Sequence, residues 1–118
     1  MWTLLLGTAV SYAVAAQAEP TCGPMAPGWE QSRVNRAERV NTVVLSGRGD
    51  GWKTTWNGAP LPIEKVRLYL ETTAQMSPQP VFVLIVSPNA DCREVETYRR
   101  MASDILKCGA GRCVEVDP

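Results

Sequence analysis

The apolar positions of this chain change their period in step with its turn residues, and each change marks an element. Val40 to Ser46 alternates, with Val43 and Leu45 on one face and Thr42, Val44 and Ser46 on the other. β-Branched residues dominate, so the stretch predicts a strand. Gly47 to Gly51, with its glycines and Asp50, reads as a hairpin turn. Trp52 to Trp56 then predicts a returning strand. Period two places Trp52, Thr54 and Trp56 together and Lys53 and Thr55 opposite. Asn57-Gly58 ends it.

Pro60 and Pro62 suit a helix entrance, where a missing N–H costs nothing. Ile63, Val66, Leu70 and Ala74 recur at helical spacing, and Tyr69 widens that stripe. Val81 to Val86 is apolar throughout and of strand length, which predicts a central strand buried on both faces. After Ser87-Pro88-Asn89, Asp91 and Glu94 read as an N-cap and its reciprocal partner at the start of a helix over 92–107. Its stripe is Val95, Tyr98, Met101 or Ala102, Ile105 and Leu106, and Gly109 supplies the stop. Val114 and Val116 form a short last strand. A helix linking two such strands predicts a parallel crossover. The expected fold class is α+β: a two-layer β-β-α-β-α-β sandwich with two helices on one face of a mixed sheet.

The N-terminal part differs. Met1 to Ala18 holds an apolar run closing in Ala16-Gln17-Ala18, a small-x-small cleavage pattern. It reads as a signal peptide cut after Ala18, with a retained membrane anchor as the rival. A bilayer span needs about 20 strongly apolar residues, and glycine, threonine, serine and alanines dilute this one. Residues 19–39 read as an N-terminal tail and linker, and 40–118 as the folded domain. Within the tail, Trp29 to Arg39 predicts a short helix carrying Arg33, Arg36 and Arg39 on one side, a solvated face in preference to a docking strip.

Export gives the cysteines their meaning. Cys22, Cys92, Cys108 and Cys113 all follow the cleavage point, and an even count outside the cytoplasm predicts disulfides. A helix over 92–107 would hold Cys92 and Cys108 ~24 Å apart, far beyond the ~7 Å that a bridge allows. Cys108 with Cys113 across a Gly-rich turn, and Cys22 with Cys92, are the expected pairs.

Composition removes several functions. Twelve basic and twelve acidic residues balance, so nothing argues for nucleic acid or an anionic membrane surface. The chain has no histidine. Ser46, Ser87 and Ser103 therefore lack an imidazole base, and zinc would need all four thiolates at spacings without a close pair. No Gly-rich phosphate loop is present. The expectation is no metal, no cofactor and no catalytic residue. Thiol redox chemistry at Cys92, near a helix start, is the one enzymatic alternative, and it lacks a Cys-x-x-Cys neighbour.

In their order, these segments resemble the periplasmic domain of the ExbD/TolR family of biopolymer transport proteins. The likeness runs from about Asn41 to Val116. It rests on Gly49-Asp50-Gly51, Trp56-Asn57-Gly58, the Val81-Phe82-Val83-Leu84-Ile85-Val86 strand, the polar break Ser87 to Asp91, and the second helix with Tyr98, Met101 and Gly109. The resemblance implies a periplasmic cell-envelope domain engaging a TonB- or Pal-like protein or the cell wall, with a homodimer as one arrangement. Family members carry an acidic residue in a transmembrane helix that serves a proton-driven motor; Met1 to Ala18 contains neither Asp nor Glu. A detached, disulfide-bonded version that binds and does not conduct protons is the expectation. Trp52 and Trp56 are the candidate partner-binding residues, with a free edge strand as a second surface and packing beneath a helix as the plainer role for both tryptophans. The alternative reading is a small secreted structural or inhibitory module.

Overall fold

The computed structural model describes residues 22–31, 39–47 and 53–116. In chain order these form β1 (Glu30–Gln31), β2 (Val40–Ser46), β3 (Lys53–Trp56), β4 (Ala59–Pro60), α1 (Ile63–Ala74), β5 (Val81–Val86), α2 (Cys92–Ile105) and β6 (Cys113–Val116). One mixed sheet results, ordered β1-β6-β5-β2-β3-β4. The pairs β1–β6, β6–β5 and β5–β2 are parallel, and β2–β3–β4 is antiparallel. The α+β class holds. The expected signal peptide over 1–18, the expected turn at Gly49-Asp50-Gly51 and Trp52 lie outside the described residues.

Strand alternation sorts the core into two faces. Val43, Leu45, Trp56, Phe82, Leu84, Val86 and Cys113 join the buried residues of both helices in the main cluster. The intervening residues Val81, Val83 and Val114 form a smaller cluster on the opposite face, with Val40, Ile85 and Val116 beside it. Both helices therefore cover one face. β5 lies in the middle of the sheet with five of its six residues buried, which is why it contains no polar residue.

Local chemistry sets the turns. Asn57 and Gly58 both have positive φ, 49° and 92°, and join Trp56 to Ala59 in a two-residue hairpin. Such a turn demands left-handed backbone at both positions, which asparagine and glycine tolerate. The Asn57 side-chain oxygen also accepts from the Thr42 backbone N–H at 2.7 Å, while the Asn57 backbone N–H donates to the Thr42 carbonyl at 2.8 Å. The turn is thereby locked to β2.

Several expectations change. Trp29–Arg39 is not one helix: Glu30 and Gln31 form an edge strand on β6, and residues 32–38, with Arg33 and Arg36, lie outside the described set. Residues 22–31 belong to the folded body, so the domain does not begin at residue 40. Asp91 caps α2, but by accepting from the Arg93 amide at 2.8 Å. Its own amide donates to the Gly47 carbonyl at 3.2 Å, leaving Glu94 no reciprocal role there. Helix α2 ends at Ile105, with Leu106 extended, before Gly109 is reached. Gln79 holds that end: its amide donates to the Lys107 carbonyl, and its oxygen accepts from the Lys107 amide, both at 3.1 Å.

Both expected disulfides are present, Cys22–Cys92 and Cys108–Cys113. Cys22–Cys92 spans 70 residues, and that length sets its value, about 4 kcal/mol in the chain-entropy model.

Candidate functional site

At the β3 side of the molecule, Trp56 occupies the last position of β3, opposite Val43 of β2 and Ala59 of β4. Its alternation partner Thr54 points the same way, and both are buried. The indole meets the Tyr69 ring edge-on, with centroids 5.4 Å apart and planes at 81°. Aromatic pairs favour this arrangement because a positive ring edge faces a negative ring face. Trp56 keeps only 9% of its surface exposed, whereas Tyr69 keeps 40%. The tryptophan is thus a floor, and the tyrosine is a wall.

That wall bounds a concave groove of about 290 Å³, lined by Asn41, Trp56, Tyr69, Thr72, Thr73 and Met76. Thr72 and Thr73 follow Tyr69 by three and four positions, so one side of the last turns of α1 faces the sheet here. Polar groups at the floor are mutually engaged. The Asn41 amide donates to Thr73 Oγ1 at 3.3 Å and the Asn57 amide donates to Asn41 Oδ1 at 3.1 Å. Thr73 Oγ1 donates to the Tyr69 carbonyl at 2.8 Å. What the groove presents outward is mainly apolar. Leu68, Tyr69 and Met76 are the large apolar side chains most exposed among the described residues, and all three lie on α1 or just after it.

The sheet edges offer less than expected for strand addition. Each outer strand, β1 and β4, has two residues, and β4 contains Pro60. Short edges with proline discourage a further strand. Past β4, the Leu61 amide donates to the Thr54 carbonyl at 3.1 Å, which covers β3 as well.

At the β6 side, the chemistry is ionic. The Arg99 guanidinium donates to Glu115 twice, Nε to Oε1 at 2.8 Å and Nη2 to Oε2 at 2.7 Å. Arg99 is 1% exposed and Glu115 0%. The carboxylate beside it raises the guanidinium pKa, and burial opposes that only in part. The remaining N–H groups donate to the carbonyls of Cys22, Gly23 and Pro24 at 3.1 to 3.2 Å. Five residues beyond Pro24, Trp29 inserts into the core, 7% exposed, edge-on to Phe82 with its indole N–H donating to Ser103 Oγ at 2.8 Å. None of Arg99, Glu115 or Trp29 stood out in the sequence. A helical stripe of Val95, Arg99, Ala102 and Leu106, together with period two from Cys113 to Glu115, contains the signal for the ion pair.

Between these sites, Tyr98 reaches from α2 to β3, its hydroxyl 3.1 Å from that of Thr54. Burial pushes its pKa up, with nearby Glu94 and Glu64 adding to the rise and the Thr54 bond working against it. All four cysteines are disulfide-bonded, which places Cys92 in a bridge. Among the described residues no group of three or more Cys, Asp or Glu is placed to hold a metal ion. No helix among them is long and apolar enough to cross a membrane. A second, smaller cleft of about 160 Å³ lies between the helices, lined by Arg67, Thr97, Arg100, Met101 and Asp104.

No family model, no curated protein and no solved structure matches this chain.

Proposed function

We propose that this chain is an exported, non-enzymatic domain of the cell envelope that binds a partner protein, in the manner of the ExbD/TolR periplasmic region it resembles. The observation that carries the reading is the groove at the end of α1. Apolar side chains there stay exposed around a concavity, against their burial preference, and aromatic residues beside a pocket are what partner contacts favour. Trp56 takes part from below, by fixing Tyr69. Trp52 remains a candidate on the sequence argument alone. Removal of the segment 1–18 on export places the domain in the periplasm, where its disulfides would persist.

The test is titration of the purified protein with a Pal-like periplasmic domain, a TonB-like C-terminal domain and isolated cell-wall sacculi. Saturable binding to one of the three, weakened at least tenfold by Tyr69→Ala with unchanged circular dichroism, is expected. Binding to none, or binding indifferent to Tyr69→Ala, removes the proposal. The two disulfides favour one alternative, a secreted structural or inhibitory module. That reading predicts protease resistance with no envelope partner.

A further inference from the structure

We propose that the occupant of the α1 groove is a proline-rich segment of the partner in polyproline II conformation, held through its backbone carbonyls by the Trp56 indole N–H and the Tyr69 hydroxyl. This rests on the groove being the partner site.

Two buried tryptophans supply the contrast that carries it. Trp29 and Trp56 are 7% and 9% exposed, so both indoles are largely withdrawn from water. The indole N–H of Trp29 donates to Ser103 Oγ at 2.8 Å. That of Trp56 has no acceptor among the described residues, and the Tyr69 hydroxyl has no hydrogen-bond partner among them either. Buried donors are nearly always satisfied, and a buried indole N–H usually finds a partner. Trp56 lines the groove, so an occupant of the groove can bring the missing acceptor.

The rest of the lining says what kind of acceptor. None of Asn41, Trp56, Tyr69, Thr72, Thr73 and Met76 is charged, which suits an uncharged segment and gives an acidic or basic one no counter-ion. The oxygens at the floor already accept from the groove's own amides, Asn41 Oδ1 from Asn57 and Thr73 Oγ1 from Asn41. The groove therefore has donors to spare and few free acceptors. Consecutive prolines match that balance, because they present carbonyls and no N–H. A β-strand would bring N–H groups in need of acceptors. Tyr69 stands edge-on to Trp56, so the two rings offer faces in different directions for pyrrolidine rings to pack on. Aromatic-lined grooves take polyproline II segments in this way, and such a segment is already extended when free, so docking orders it at little cost. At about 290 Å³ the groove is small for a ligand pocket and suits a short stretch of rings.

The test is titration of the purified chain with fluorescein-labelled decaproline, against an equally labelled Gly-Ser peptide of the same length. Saturable binding of decaproline alone is expected. Trp56→Phe, which keeps an aromatic floor and removes the N–H, should weaken it about threefold or more. Should Trp56→Phe fail to fold, Tyr69→Phe at the exposed wall takes its place, with the same expected loss. Unlabelled decaproline should also displace whichever envelope partner binds in a Tyr69-dependent manner. Decaproline binding that both substitutions leave unchanged, or binding no better than Gly-Ser, overturns the proposal. A Tyr69-dependent partner that decaproline does not displace overturns it too, and leaves the groove standing as a partner site for another class of segment. Loss of the groove reading itself is read separately, from partner binding indifferent to Tyr69→Ala.

Discussion

At the β6 side of the sheet, Arg99 directs every N–H group to a carboxylate or a backbone carbonyl, and a disulfide closes over it. At the β3 side, Trp56 and Tyr69 meet edge-on beneath a groove whose rim stays open to solvent. Both sites bury large side chains against the same face of one sheet, yet they use opposite means. A buried ion pair tolerates no loss of partner, because an uncompensated charge remains. An apolar wall that is two-fifths exposed loses little when trimmed. The ionic side therefore governs whether the domain folds, and the aromatic side leaves its rim free for the contact proposed above.

That contrast can be broken in graded ways. The largest effect is expected at the ion pair: Arg99→Ala leaves Glu115 buried alone and should cost about 3 to 5 kcal/mol by urea denaturation. Arg99→Met with Glu115→Leu should recover most of it; a double variant as weak as the single would show that the pair holds more than its own charges. Next come the disulfides. Removing Cys22–Cys92 should cost about 4 kcal/mol and removing Cys108–Cys113 about 2, in keeping with separations of 70 and 5 residues. Equal losses by denaturation would contradict the loop-length account.

Tyr98→Phe removes the Thr54 hydrogen bond and should cost about 1 kcal/mol. It also carries a pH signature. The folded-state pKa is raised above the ordinary phenol value of about 10, so the contribution of Tyr98 is complete below that value and is lost as pH climbs through the folded pKa. Wild-type stability should fall more steeply than that of Tyr98→Phe above about pH 10. Parallel curves would place the alkaline loss elsewhere. The smallest stability effect belongs to the groove. Met76→Ala, at an exposed rim position, should stay within about 0.5 kcal/mol of wild type while lowering partner affinity. A large thermal shift would make the rim part of the core.

Much of the fold was legible because its signals are local. Alternation in Val40–Ser46, the apolar run of Val81–Val86 and the helical stripe of α2 each report which face is buried, and neighbours in sequence carry that information. The disulfide pairing followed from helix length, which excludes Cys92–Cys108, together with the Gly-rich turn that lets Cys108 meet Cys113. The ends were less legible. Glu94 has cap chemistry at the right spacing, but the carbonyl of Gly47, just past the end of β2, took the amide that the capping box required. Tyr69 extends the stripe of α1 on paper and in the fold stands at its margin, turned toward Trp56. The Trp29 region has helical composition, yet its indole finds Ser103, 74 residues away, and its neighbours join β6.

By itself the sequence determined the strand and helix periods, the balanced charge, the absence of histidine and the even number of cysteines. Those are properties of neighbouring residues and of counts. Only the tertiary structure decided that Arg99 and Glu115 are partners, that residues 22–31 lie over them, and that Trp56 floors a groove and is not itself the exposed surface. Each of these joins segments remote in sequence, and whether a polar side chain is solvated or buried depends on what the chain brings against it.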